Sequence, residues 1–133
     1  MASSYSETLR VRYSDADAQG HMFFANYLVF ADEIASHYME TLGFDWRHPE
    51  QLPMLVFTVN VNCDYLSECR IGDEVRVDVA YEHVGNTSAR LGFTMTRAAD
   101  AQLLARGQFT QVFVDRDTRR PAPVPDSVRA AIP

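Results

Sequence analysis

Residues 13–39, YSDADAQGHMFFANYLVFADEIASHYM, decide how the chain is read. Asp15 and Asp17 stand two apart, a Gly20-His21 pair follows, and an apolar run then continues with no strong helix breaker before Gly43. Within 24–42, apolar side chains recur at Tyr27, Phe30, Ala31, Ile34, Tyr38 and Leu42, and Leu28, Ala35 and Met39 widen the stripe. That spacing is the helical period, in a helix buried over much of its circumference. Gly43 suits the position just past the helix end, with Phe44 folding back behind it. The open question is why two carboxylates directly precede so apolar a segment.

On either side of this segment the period becomes two. LRVRY (9–13) alternates apolar and charged residues, as a half-buried strand does. FTVNVNCDY (57–65), EVRVDVAYEHV (74–84), SARLGFTMTR (88–97) and QLLARGQFTQVFVD (102–115) read as four more strands, with tight turns at Gly85-Asn86 and at AADA. Pro49 and Pro53 mark a loop, and the Pro-rich C-terminus has room for a short helix after Asp126. Consecutive hairpins make an antiparallel sheet, and the helix must bury its broad apolar surface against it. The expected fold class is α+β: a curved antiparallel β-sheet wrapped around one long central helix.

At 133 residues, the chain is expected to form one domain over 1–133. A net charge of -6 argues against nucleic acid as a partner, since phosphate binding needs a basic face. All 12 basic residues are arginine, so mechanisms that need a lysine, the P-loop included, are excluded. Cys63 and Cys69 form no metal-ligand pattern and read as free thiols; neither a metal nor a cofactor is expected. There is no apolar run long enough to span a membrane, and MASSYSETLR lacks the features of a secretory signal, so a cytoplasmic protein is expected.

Three chemistries compete for the aspartates. Asp15, Asp17, Gln19 and Gly20 fit the first positions of a calcium loop, but position twelve is Asn26 rather than a bidentate Glu, and a strand precedes instead of a helix. A haloacid-dehalogenase-type phosphatase needs Asp-x-Asp after a buried parallel strand and usually a lysine; the alternating strand and the missing lysine speak against it. The third reading places a carboxylate at the N-terminus of the buried helix. The first-turn amides there lack partners and carry partial positive charge, so they can polarise a carbonyl beside a base or nucleophile. Gly20 lets the backbone turn sharply and approach a ligand. The plain alternative is that Asp17 only caps the helix.

The segment, with its Asp-x-x-Gly before an aromatic-rich helix start and Asn26-Tyr27, resembles the active-site segment of hotdog-fold acyl-CoA thioesterases of the 4-hydroxybenzoyl-CoA thioesterase-like family. The resemblance continues through IGDEVRVDV, VGNTSARLGFTM, QLLARGQFTQVFVD and RRPAPVP, nearly the whole chain. It implies an enzyme that hydrolyses an acyl-CoA, or an acyl-carrier-protein thioester, to the free acid. Asp17 would act as nucleophile or general base, and the backbone amide of Phe24 would polarise the thioester carbonyl. A thiolate leaves readily, so one carboxylate suffices, and no serine sits in a Gly-x-Ser-x-Gly elbow. The chain departs from many relatives in following Gly20 with His21 and then Met22-Phe23-Phe24. His21 is expected either to contact substrate or to bridge to Asp15, which itself reads as a brace.

The resemblance further implies coenzyme A contacts at Gly85, Asn86, Thr87 and Ser88 and at Arg119 and Arg120, and Gly20 beside the ligand. Phe23, Met54, Val56 and Phe57 are candidates for an acyl pocket, with Tyr27 at the border between site and core. It also implies sheets joined edge to edge in a homodimer, with active sites at the interface and dimers often paired into a homotetramer. Two other functions stay open: a non-catalytic module that binds acyl-CoA or a partner, and a thioester dehydratase. For the dehydratase, Glu33 and His37 lie four apart on the helix but match no such motif.

Overall fold

The long helix falls where the periodicity puts it. In the computed structural model, which describes residues 3–52 and 54–132, helix α1 spans Phe24–Thr41 and buries Tyr27, Phe30, Ala31, Ile34, Ala35, Tyr38 and Met39. Gly43, with φ +100°, ends it: its N–H donates to Glu40 O at 3.1 Å and that of Phe44 to Met39 O at 3.2 Å. This double closure satisfies the last carbonyls and seats buried Phe44 6.5 Å from the ring of Phe113. Pro53 lies outside the described residues.

Among the described residues, five strands form one antiparallel sheet in the order β1-β3-β4-β5-β2. They are β1 (Tyr5–Arg10), β2 (Leu55–Tyr65), β3 (Glu74–Val84), β4 (Ser88–Arg97) and β5 (Leu103–Val114). α1 packs against β3, β1 and β4. A short helix α2 (Asp126–Arg129) closes the core with Val128, flanked by Val124 and Ala131. The curved α+β architecture is as expected, and β2 to β5 have bounds within two residues of the sequence reading or identical to it.

Two strands depart from that reading. The first strand lies at 5–10 rather than 9–13, and Tyr13–Asp15 is a 3-10 turn. Val11 and Tyr13 continue an alternation, but Asp15 folds back on the Arg12 amide and ends the strand. β2 carries a bulge between Thr58 and Asn60. An extra residue there reverses which face each side chain takes. Val56 pairs with buried Phe113 and faces α1, whereas Phe57 pairs with Val112 on the outer face. Beyond the bulge, Val61, Cys63 and Tyr65 face inward, opposite buried Phe109, half-buried Gly107 and buried Ala105.

The strands also define two ends. At one end, where β2 finishes and β3 begins, the connection from β1 to α1 is held: Val11 N–H donates to Asp73 O, Met22 N–H to Cys69 O, each at 2.9 Å, and Ile71 N–H to Gly20 O at 3.3 Å. At the other lie the β3–β4 turn and the end of β5, joined by Phe113 N–H to Thr87 O at 3.0 Å and Val124 N–H to Asn86 O at 2.9 Å. A strand the length of β3 separates the two by about 35 Å.

Candidate active site

The two aspartates of the opening segment have opposite environments. Asp15 is buried: one oxygen accepts from the Arg12 amide at 2.8 Å and Nε at 3.0 Å, the other from Arg12 Nη2 at 2.9 Å. The Arg12 guanidinium holds its carboxyl below the usual carboxylate range, against burial that pushes it up. Its backbone carbonyl accepts the Asn26 side-chain amide at 2.9 Å and Phe23 N–H at 2.8 Å, which ties the turn to the helix start. Asp15 is therefore a brace.

Asp17 stands on a small hairpin. Ala16 bridges to Met22, and Asp17 N–H donates to His21 O at 2.8 Å. Gly20 closes the three-residue loop with φ +81°, a left-handed conformation that suits glycine. The Asp17 carboxylate is exposed; Oδ1 accepts from Gln19 N–H at 2.8 Å and His21 N–H at 3.3 Å, and Oδ2 has no partner among the described residues. The capping alternative fails, because Phe23 occupies the N-cap position and no side chain caps the helix. Phe24 and Ala25 N–H consequently have no hydrogen-bond partner among the described residues. An ionisable group with a free oxygen and a pair of unsatisfied helix amides belong to the same loop-to-helix junction.

His21 does not bridge to Asp15, whose lone pairs Arg12 already occupies. Its Nδ1 lies 3.4 Å from Glu68 Oε2, on the connection that follows β2. Tyr27 is buried, accepting from Cys69 Sγ at 3.5 Å, and belongs to the core. Phe23 is largely exposed beside Phe24, with ring centroids 4.7 Å apart. Met54 and Val56 pack against the core from one side and Phe57 sits on the outer face, so within one chain Val56 and Phe57 do not line a common pocket.

Gly85, Asn86, Thr87, Ser88, Arg119 and Arg120 do come together, but at the far end of the sheet from Asp17. Thr87 and Asn86 are bonded to β5 and to the tail, and Arg119 and Arg120 are exposed on the turn just beyond Val114, with Arg119 at φ +64°. Arg129, which the sequence reading passed over, donates from Nη2 to Gly85 O at 3.0 Å. Two further residues were missed at the Asp17 end. Arg12 could have been found from its i,i+3 spacing to Asp15. Tyr65, which reaches the helix start, had no signal beyond closing an alternating strand. A groove of about 520 Å³ on the sheet's outer face, floored by Ala80, Gly92 and Gly107, contains none of the candidate residues. Among the described residues no His, Cys, Asp or Glu grouping forms a metal site, and no helix is long and apolar enough to cross a membrane.

Residues 11–132 match the thioesterase-like superfamily. The chain belongs to that superfamily, and its fold and class are those of a hotdog thioester hydrolase. It is 26% identical over 132 residues to the acyl-CoA thioesterase YbgC of Haemophilus influenzae, covering 97% of this chain and 94% of that protein. Its structure superposes with a TM-score of 0.88 and 21% identity on Slr0204, a 1,4-dihydroxy-2-naphthoyl-CoA thioesterase from Synechocystis, covering 98% and 96% of the two chains. A 4-hydroxybenzoyl-CoA thioesterase mutant complexed with 4-hydroxybenzoyl-CoA superposes with a TM-score of 0.85 and 20% identity, over 96% and 98% of the chains.

Proposed function

We propose that the chain hydrolyses acyl-CoA thioesters with Asp17 as the reacting carboxylate and the first-turn amide of Phe24 as the carbonyl-polarising group. The observation that carries this is the exposed Asp17, with one oxygen unpartnered, on the hairpin that leads into the free Phe24 amide. As general base, Asp17 takes a proton from water while the water oxygen adds to the thioester carbon. As nucleophile, its own oxygen adds, and water later cleaves the anhydride. In both routes negative charge develops on the carbonyl oxygen, where the helix amide donates, and the C–S bond then breaks to release the thiolate. A coenzyme A thiol with an ordinary pKa of about 8.5 leaves without a strong general acid.

The active unit in this proposal is a homodimer. β2 is an edge strand of 11 residues, without proline or lysine, and it exposes Phe57, Val59, Val61 and Tyr65. Such an edge invites pairing with a second strand. Two-fold antiparallel pairing of β2 with its copy sets the end of one strand against the start of the other. Asp17 of one chain then faces the Gly85–Ser88 turn and the Arg119 and Arg120 loop of the second chain, and the site is composite. The partly covered inner face at Val61 and Tyr65 becomes the acyl slot.

Turnover of an acyl-CoA panel spanning aliphatic and aryl acyl groups, read as free thiol released, tests the activity and identifies the acyl group. Release of CoA from none of them overturns the enzyme reading and favours a binding module. Mixing Asp17→Asn with an Arg119→Ala/Arg120→Ala chain tests the composite site. Read as kcat/KM at low substrate, random reassortment gives about a quarter of the wild-type value if the groups act across the dimer, and only about a twentieth, the residual activity of the arginine-deficient sites, if they act within a chain.

A further inference from the structure

Tyr65, the last residue of β2, is tied to the helix start more closely than strand packing requires. Its hydroxyl donates to Phe24 O at 3.0 Å, and its ring meets Tyr27 edge-on at 5.3 Å and Phe24 at 6.4 Å. Partial burial pushes its hydroxyl above the usual tyrosine value, so it stays protonated as a donor at neutral pH. The carbonyl it binds belongs to the same peptide unit as Ala25 N–H, the second amide without a partner. A hydrogen bond accepted by a peptide oxygen fixes the plane of that peptide and strengthens the N–H on its other side as a donor. Residue 65 is also the point where the edge strand meets the reacting end.

Resting on the thioesterase reading above, we infer that Tyr65 is a positioning residue: through the Phe24 carbonyl it orients and polarises Ala25 N–H as a second donor to the thioester oxygen, beside Phe24 N–H. This explains why a half-exposed tyrosine on an edge strand spends its hydroxyl on a helix carbonyl rather than on water. It also connects pairing at β2 to the readiness of the carbonyl-binding amides, since a partner strand immobilises Tyr65.

Tyr65→Phe keeps the ring contacts and removes only the hydroxyl. With the best substrate of the panel, kcat is expected to fall about 3- to 10-fold, the range of one neutral hydrogen bond, with KM and melting temperature within error of wild type. In an Asp17→Asn background, infrared difference spectra of the bound thioester supply a readout that a merely structural role does not move. The Tyr65→Phe change is expected to shift the carbonyl band to higher wavenumber, towards its position in free solution. An unchanged kcat and an unmoved band, with Asp17→Asn inactive, overturn the Tyr65 assignment and leave the thioesterase reading intact. Full turnover by Asp17→Asn overturns both. A Tyr65→Phe enzyme whose melting temperature falls while kcat and band stay put reduces Tyr65 to a packing residue.

Discussion

The two ends of the sheet differ in which groups they leave unsatisfied. The Asp17 end is rigid in its backbone and has unsatisfied groups. Arg12, Asp15 and Asn26 lock the turn, and an aspartate oxygen and two amides have no partner among the described residues. The Gly85 end is a meeting of turns and tail in which backbone groups are paired and arginine heads stand in solvent. A reacting group must be held still, whereas charges that gather a phosphate-bearing ligand act well from exposed positions. In the proposed dimer, each end supplies one part of a composite site.

The strongest way to break this contrast is Asp17→Asn. The change keeps shape and removes charge, so kcat is expected to fall by about 100-fold or more while the melting temperature stays put, because Asp17 does not cap the helix and Asn retains the Oδ1 that accepts from the Gln19 and His21 amides. Near wild-type kcat would remove the reacting role from that end. At the other end, Arg119→Ala/Arg120→Ala is expected to raise KM for an acyl-CoA about tenfold with little loss of kcat. The effect should shrink with added salt, since exposed charges are screened. A fall in kcat at constant KM would place the arginines in the chemistry instead.

Asp15→Asn sharpens the contrast between holding and reacting. It removes a buried charge-assisted pair, so the melting temperature should drop by roughly 5–10 °C, with only a few-fold loss of kcat. Since the folded carboxyl titrates below its unfolded value, the stabilisation by wild-type Asp15 is present above the ordinary carboxylate range and is lost as pH falls through the depressed value. Acid titration of melting temperature for both proteins checks this.

The smallest effect is expected between the ends, where His37 on α1 meets Glu7 on β1 through Nδ1 and Glu33 at 3.1 Å through Nε2, while Tyr5 donates to Glu7 at 2.8 Å. The bond to Glu7 raises the His37 pKa above its ordinary value. The contribution is therefore complete below the unfolded histidine value and is lost as pH rises through the folded one. His37→Asn should lower the melting temperature by a few degrees at pH 6 and by less as pH climbs. A difference that grows with pH would sink the pairing.

The local elements were legible because each has a local cause. Helical spacing from Tyr27 to Met39 and Gly43 as a terminator define α1, and period-two alternation with Gly85 defines β3 and β4. The segment Asp-x-x-Gly with Asn26-Tyr27 was also enough to give its family, and it singles out the junction proposed here as the reacting one. What sequence spacing does not contain is a partner distant in the chain. That Asp15 is taken by Arg12 and so is closed to His21, that the β2 bulge turns Phe57 away from Val56, and that Tyr65 reaches Phe24 across 41 positions depend on packing. The placement of Gly85 and Arg119 at the far end from Asp17 is likewise a property of antiparallel topology, which opposes the ends of successive strands whatever their residues.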